Sequence, residues 1–237
     1  MKTLYFCFAI LFASFSCAGS YCDGSDPSCS PGAFYGEYLL PLIKGGLAGG
    51  GGGPTGPGKK MFVTSIPHNP GSIAAGGFVN VIGADNQCNT DAGTVSVYKA
   101  LIVDGAIRIA CTTANCGGGS AEHLDWVLRP NQLYVQSDGV TQIGVTNANG
   151  IFTTNLTNSV TAGASKYWTG ISTAGNDWNW LADTINCNNW TDGTAGFTGS
   201  NGISPATDFT AISLPFASGG NLPCSNTANA GLLCVEQ

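Results

Sequence analysis

Charge is scarce in this chain. Only 8 of its 237 residues are Lys or Arg and 14 are Asp or Glu, so long helices with a solvated charged face are not expected. From Lys59 onward six basic residues stand against eleven acidic ones, and the basic ones are scattered. Nucleic acid and heparin both require clustered Lys and Arg to neutralise phosphates or sulfates, so both are excluded as partners. Histidine is limited to His68 and His123, and no Cys-x-x-Cys occurs. A zinc site therefore fails on spacing, and no cofactor is expected. Past the first residues no apolar run approaches the roughly 20 residues that a membrane-spanning helix needs. No period of about 20 to 50 residues recurs, which excludes a repeat array. The spacing Gly53 to Lys59 imitates a phosphate-binding loop, but no strand precedes it, and Pro54 and Pro57 remove amide donors that such a cradle would use.

What is present begins with an export signal. Lys2 precedes the apolar run Leu4–Ala13, and residues 1–17 read as a leader. Ser14-Phe15-Ser16-Cys17 resembles a bacterial lipoprotein processing site, which makes Cys17 the lipidated first residue and implies an outer-membrane or cell-surface location. Cleavage near Ala18-Gly19-Ser20, with plain secretion, is the alternative. Residues 18–58 contain the run Gly45 to Gly53 with Pro54 and Pro57, and read as a disordered tether. Of the ten cysteines, Cys7 and Cys17 fall in the leader, leaving Cys22, Cys29, Cys88, Cys111, Cys116, Cys187, Cys224 and Cys234. An even number in an exported chain points to disulfides. Cys111 and Cys116 are spaced to close a small ring worth roughly 2 kcal/mol, and Cys187 and Cys224 are placed to bracket a long loop. The state of Cys22 and Cys29 is open.

Residues 59–237 read as one α+β domain. Met61 to Ser65 is a first strand, and Pro67 and Pro70-Gly71 break it. Gly83-Ala84-Asp85-Asn86-Gln87-Cys88 opens a helix capped by Asp85, with Ala84, Cys88 and Ala92 on one face and Gly93 as its stop. Val95 to Val103, the turn Asp104-Gly105, and the alternating Ile107, Ile109 and Cys111 predict a hairpin. Leu133 to Val135, Val140 to Val145 and Ile151-Phe152 predict a meander, and Leu232 to Val235 a buried closing strand.

Three groups invite a site reading. Glu122-His123-x-Asp125 holds an acid, a base and a carboxylate, but with no nucleophile in view it reads as the start of a buried segment and the chain as a non-enzyme. His68, in a Pro-bounded loop, reads as a solvated surface residue. Trp168 and Trp190 are assigned to the core, whereas Trp178 and Trp180 alternate in a Gly- and Asn-flanked loop, so one is expected to face outward as a partner contact. Asp177, Asn179 and Asp183 cluster beside them in sequence.

In order along the chain, Phe62-Val63-Thr64-Ser65, Gly83-Ala84-Asp85-x-x-Cys88, Tyr98-Lys99-Ala100-Leu101, Trp168-Thr169-Gly170, Cys187-x-x-Trp190, Cys224 and Cys234-Val235-Glu236 together resemble the leptospiral endostatin-like outer-membrane proteins. More distantly they resemble the endostatin domain of collagen XVIII. The resemblance implies a C-type lectin-like fold with one or two helices, short antiparallel strands and long disulfide-bracketed loops. It also implies nested bridges, Cys88 to Cys234 outside and Cys187 to Cys224 inside, which leaves Cys111 with Cys116. For function it implies an adhesin that binds host matrix proteins such as laminin and fibronectin, plasminogen, or complement regulators. The arginine-rich heparin face and the N-terminal zinc histidines of endostatin are missing. A Ca²⁺-dependent carbohydrate lectin is the alternative, although neither the Glu-Pro-Asn or Gln-Pro-Asp nor the Trp-Asn-Asp motif occurs.

Overall fold

In the computed structural model the run Ala230–Glu236 is the longest strand, here β9, and it lies inside the sheet rather than at its edge. Residues 57–72, 77–172, 177–225 and 230–237 are described, all within the unit Gly52–Gln237. The predicted leader, Cys17, Cys22, Cys29 and nearly all of the 18–58 tether lie outside them. Every residue of β9 except Glu236 is buried. Such a run, with no polar alternation, is what a strand covered on both faces requires. Alternation along it then divides the core: Leu233 and Val235 enter one apolar cluster, and Ala230, Leu232 and Cys234 enter the other.

The other strands are β1 (Lys59–Val63), β2 (Tyr98–Ala100), β3 (Leu133–Val135), β4 (Gln142–Val145), β5 (Ser165–Trp168), β6 (Thr198–Gly199), β7 (Asn201–Ser204) and β8 (Leu222–Pro223). The main sheet is curled and runs β4-β3-β1-β9-β5-β7, with β2 also paired to β9 and β6 with β8 forming a separate ladder. The predicted pairing of residues 133–135 with 142–145 is present and antiparallel. However, β1 pairs β3 in parallel and β5 pairs β9 in parallel, so the sheet is mixed. Ile151-Phe152 is buried but forms no strand; Asn147 N–H reaches the Ile151 carbonyl at 2.9 Å in a tight turn instead.

Helix α1 spans Asn80–Ala92 and ends, as expected, on Gly93 in the left-handed conformation, φ 58°. Its start differs from the expectation. The Asn80 side chain accepts from the Ile82 and Gly83 N–H groups, so Asn80 takes the capping role that the sequence suggested for Asp85. Asp85 stands one turn further in and braces β2. Its Oδ1 accepts from Ala100 N–H at 2.9 Å, while Asn89, four residues on, both accepts from Tyr98 N–H and donates to the Tyr98 carbonyl. Two side chains on one helix face thus satisfy backbone groups that a further strand would otherwise pair.

The predicted hairpin over Val95 to Cys111 does not form. β2 pairs with β9, not with residues 107–111, and Ile109 makes a lone bridge to Leu124. The expected alternation holds only in part: Cys111 is buried and Ile109 half-buried, but Ile107 is exposed and Arg108 is fully buried.

Among the described residues three disulfides brace this frame: Cys88–Cys234 with Cα atoms 5.5 Å apart, Cys187–Cys224 at 5.7 Å and Cys111–Cys116 at 4.8 Å. All three distances sit within normal disulfide geometry. The first ties α1 to β9, so the helix is held over the centre of the sheet. The pairing is the one the resemblance implies.

Candidate functional site

The acid-base triplet separates on folding, and each member is committed to a structural bond. Glu122 is gripped by the ring that Cys111–Cys116 closes: the N–H groups of Thr112, Thr113 and Gly118 and both threonine hydroxyls donate to its carboxylate. The Thr113 hydroxyl, helped by those N–H groups, lowers the Glu122 pKa to about 2. His123 lies with one ring nitrogen against the Ala110 carbonyl and the other 2.6 Å from the Asn149 carbonyl. Asp125 pairs with Lys99 and with Arg108. Burial works against its ionised form, but the Lys99 and Arg108 bonds outweigh it and its pKa is lowered.

Arg108 is the residue that sequence reasoning missed. Its side chain is fully buried, and every branch is used: Nη1 and Nη2 form a bidentate pair with Asp85 at 2.9 and 2.7 Å, Nη2 also meets Asp125 at 2.5 Å, and Nη1 donates to the Ala100 carbonyl. Nε donates to the Asp125 carbonyl. Burial opposes the charge, but the two carboxylates prevail and the pKa stands above the ordinary arginine value. The cluster clamps α1, β2 and the 125 loop together. A lone Arg between Ile107 and Ile109 was the only signal of it.

His68 corrects another expectation. It is not solvated but fully buried, with Nε2 2.8 Å from Asp91 Oδ2, and its carbonyl accepts from Trp168 Nε1. Trp168 and Trp190 are core residues as expected. Trp178 and Trp180 are not outward anchors: both are buried, stacked with centroids 6.0 Å apart, and packed on Phe152. Their alternation does not divide core from solvent because both rings enter the apolar cluster that also takes Leu233 and Val235. Asp177, Asn179 and Asp183 do not converge through their bonds: each carboxylate or amide caps a backbone N–H beside it, Trp178, Leu181 and Ile185 respectively.

Among the described residues several open grooves offer places for a ligand, and two of them are wide enough to single out. One, of about 520 Å³, runs between the end of β1 and the start of β5 and is lined by Thr64, Ile66, Ser165, Lys166, Ile203 and Ser204. The other, of about 410 Å³, lies between the Asp104-Gly105 turn and the loop that Cys187–Cys224 brackets; its lining includes Asp104, Ala182, Asp183, Asn186, Asn188 and Phe197.

The second groove has the more constrained wall. Cys187, Asn188, Asn189 and Trp190 all have positive φ, between 52° and 63°, forming one left-handed turn without a glycine. Each such residue costs roughly 1–2 kcal/mol, so surrounding contacts must impose the turn. They are identifiable. Asn186 accepts from Asn189 N–H at 2.9 Å, the Trp190 indole donates to the Val103 carbonyl at 2.9 Å, and Cys187 is bonded to Cys224. Gly170, φ 67°, makes room beneath Trp190, since a Cβ there would lie 2.3 Å from the Val103 carbonyl oxygen. Backbone held in this way clusters at binding and catalytic sites.

Among the described residues no helix is long and apolar enough to cross a membrane. A family model described as a protein of unknown function, DUF1554, matches residues 71–207, more than half of the chain. None of the curated proteins matches the chain.

Proposed function

The chain belongs to the DUF1554 family, and we propose that it is a non-enzymatic adhesin displayed at the cell surface. In this reading Cys17 carries a lipid anchor and the glycine-rich tether holds out a C-type lectin-like domain. That domain binds host proteins: matrix components such as laminin and fibronectin, plasminogen, or complement regulators. The resemblance to the leptospiral endostatin-like outer-membrane proteins supplies the partner class. The α+β frame with few helices and the nested Cys88–Cys234 and Cys187–Cys224 bridges are compatible with it.

The observation that carries the reading is the braced left-handed turn Cys187–Trp190 beside an open polar groove. A loop locked in this way presents its side chains at little ordering cost, which supports binding. Glu122, His123 and Asp125, the acid-base triplet of the sequence, support the same view because each holds the fold together.

The test is a solid-phase screen of the purified chain against laminin, fibronectin, plasminogen and complement regulators at several salt concentrations, with a Ca²⁺ titration alongside. Saturable binding to at least one protein without Ca²⁺ is expected. Uniform failure refutes the adhesin, and glycan binding that appears only with Ca²⁺ replaces it with a lectin.

A further inference from the structure

We infer that the free edge of β1 at Val63 and Ser65 takes an extended segment of a protein partner as an added strand, one flanked by acidic residues. From the adhesin reading the inference takes only that the partner is a protein; the surface is a different one.

Strand β1 is paired with β9 over Met61 to Val63, but on its other side only at its start. In an antiparallel pair alternate residues turn their N–H and carbonyl groups to the partner. Thr64 N–H reaches the Leu232 carbonyl at 3.0 Å, so Phe62 and Thr64 face β9 and Val63 faces away from it. Ser65, at the bend that follows, is exposed. On the outer side β3 matches only Lys59 and Lys60, after which the chain turns back toward β4 with Gln136 N–H on the Thr141 carbonyl. Among the described residues the N–H and carbonyl groups of Val63 and Ser65 make no hydrogen bond. Ladder groups left open are the template on which an extended chain adds itself.

Both faces beside this edge are open as well. Val63 packs on the cluster of Leu233 and Val235, and Phe62 on that of Leu232 and Cys234, so the two mark opposite faces of the sheet. The groove of about 520 Å³ lies on the first face, where Gly231 and Ile203 line it. A groove of about 330 Å³ lies on the second, lined by Phe62, Tyr98 and Asp91. Val63 and Ser65 belong to the walls of both. An extended chain sends successive side chains to opposite faces, so each set meets a groove.

Charge selects the occupant. One groove holds Lys166 and the other Lys60, and neither forms an ion pair among the described residues. Lys166 Nζ donates to the neutral Gly219 carbonyl at 3.1 Å. Asp91, the one carboxylate in either lining, is taken by His68 at 2.8 Å. Asp138, near Lys60, accepts from the Val140 and Thr141 N–H groups and the Thr141 hydroxyl. A second copy of the chain would bring two more lysines to the edge, whereas an acidic segment gives each ammonium a counter-charge.

The test is a titration of the uniformly ¹⁵N-labelled chain with the hexapeptide acetyl-Glu-Val-Thr-Val-Thr-Glu-amide. Its companions are the same peptide N-methylated at its central residues and a version with Lys at both ends. The acidic peptide is expected to shift the backbone amide signals of Val63 and Ser65 and to slow their hydrogen exchange. The N-methylated peptide, which cannot donate to a ladder, is expected to bind at least about tenfold more weakly, and the Lys-ended one about fivefold. Ser65→Pro, which removes one edge donor, is expected to weaken the acidic peptide about fivefold, with signals elsewhere reporting that the variant is folded. Equal binding of the N-methylated peptide, preference for the Lys-ended one, shifts away from the edge, or no shift at all overturns the inference. Val63 and Ser65 signals that move with the concentration of the chain alone replace the partner with a second copy and overturn it too. The adhesin reading fails separately: capture of a host protein by a chain whose edge takes no peptide refutes the edge alone, whereas edge binding by a chain that captures no host protein refutes the adhesin alone.

Discussion

Replacing both Cys88 and Cys234 with alanine is expected to remove most of this domain's stability. The bridge joins residues 146 apart, and both cysteines are fully buried. On a chain-entropy basis, closing a loop of that length contributes about 5 kcal/mol at 25 °C. The Cys187–Cys224 bridge lies inside it and shortens the flexible path to about 110 residues, but the dependence is logarithmic and the figure falls only by tenths. The inner bridge, with a separation of 37, contributes about 4 kcal/mol on the same basis, and Cys111–Cys116, with a separation of 5, about 2 kcal/mol. Domains of this size are stable by about 5 to 15 kcal/mol, so loss of the outer bridge leaves little margin. Alanine is preferred to serine because a buried hydroxyl would add its own penalty. Urea unfolding followed by tryptophan fluorescence measures the effect, since Trp168, Trp178, Trp180 and Trp190 are all buried. The midpoint should fall and the slope rise, because an unfolded chain free of the cross-link exposes more surface. A loss below about 1 kcal/mol with an unchanged slope would refute the claim that joining α1 to β9 organises the fold.

Two further outcomes follow from the charged clusters. Arg108→Lys should cost roughly 2–4 kcal/mol despite keeping the charge, because an ammonium cannot span Asp85, Asp125 and the Ala100 carbonyl at once; unfolding within about 0.5 kcal/mol of the native chain would show the fork to be dispensable. For Glu122 the folded pKa, about 2, lies below the ordinary 4.5, so its stabilisation is complete above pH 4.5 and is lost as pH falls toward 2. The Tm gap between the native chain and Glu122→Gln should therefore be constant above that window and close within it, and a gap independent of pH down to 2 contradicts the carboxylate cradle.

Features that depend on near neighbours were legible in the residues. The inward face of α1 and its stop at Gly93, the 133–145 hairpin and the closing strand were each predicted close to where they lie. Each is written in a short-range signal, the spacing of apolar groups or a residue that tolerates positive φ. The cysteine pairing was reached through resemblance, since many pairings are open to eight cysteines and spacing does not choose among them.

What the residues left open depends on what covers each face. Whether Arg108 points inward is decided by two carboxylates far apart in sequence, Asp85 and Asp125, that meet only when α1 packs on the sheet. His68 and the pair Trp178 and Trp180 were misplaced for the same reason: a loop rich in Pro, Gly or Asn reads as exposed until another segment closes over it. The parallel pairings of β1 with β3 and β5 with β9 are likewise invisible locally, because pairing across long separations is settled by chain closure and core burial together. The sequence alone determined the helix with its inward face, the strands over 61–63, 133–145 and 232–235, and an oxidised, weakly charged frame, but not the short strands between Ser165 and Pro223. Tertiary structure alone decided which charges are buried, since burial is a property of neighbours that distant parts of the chain supply.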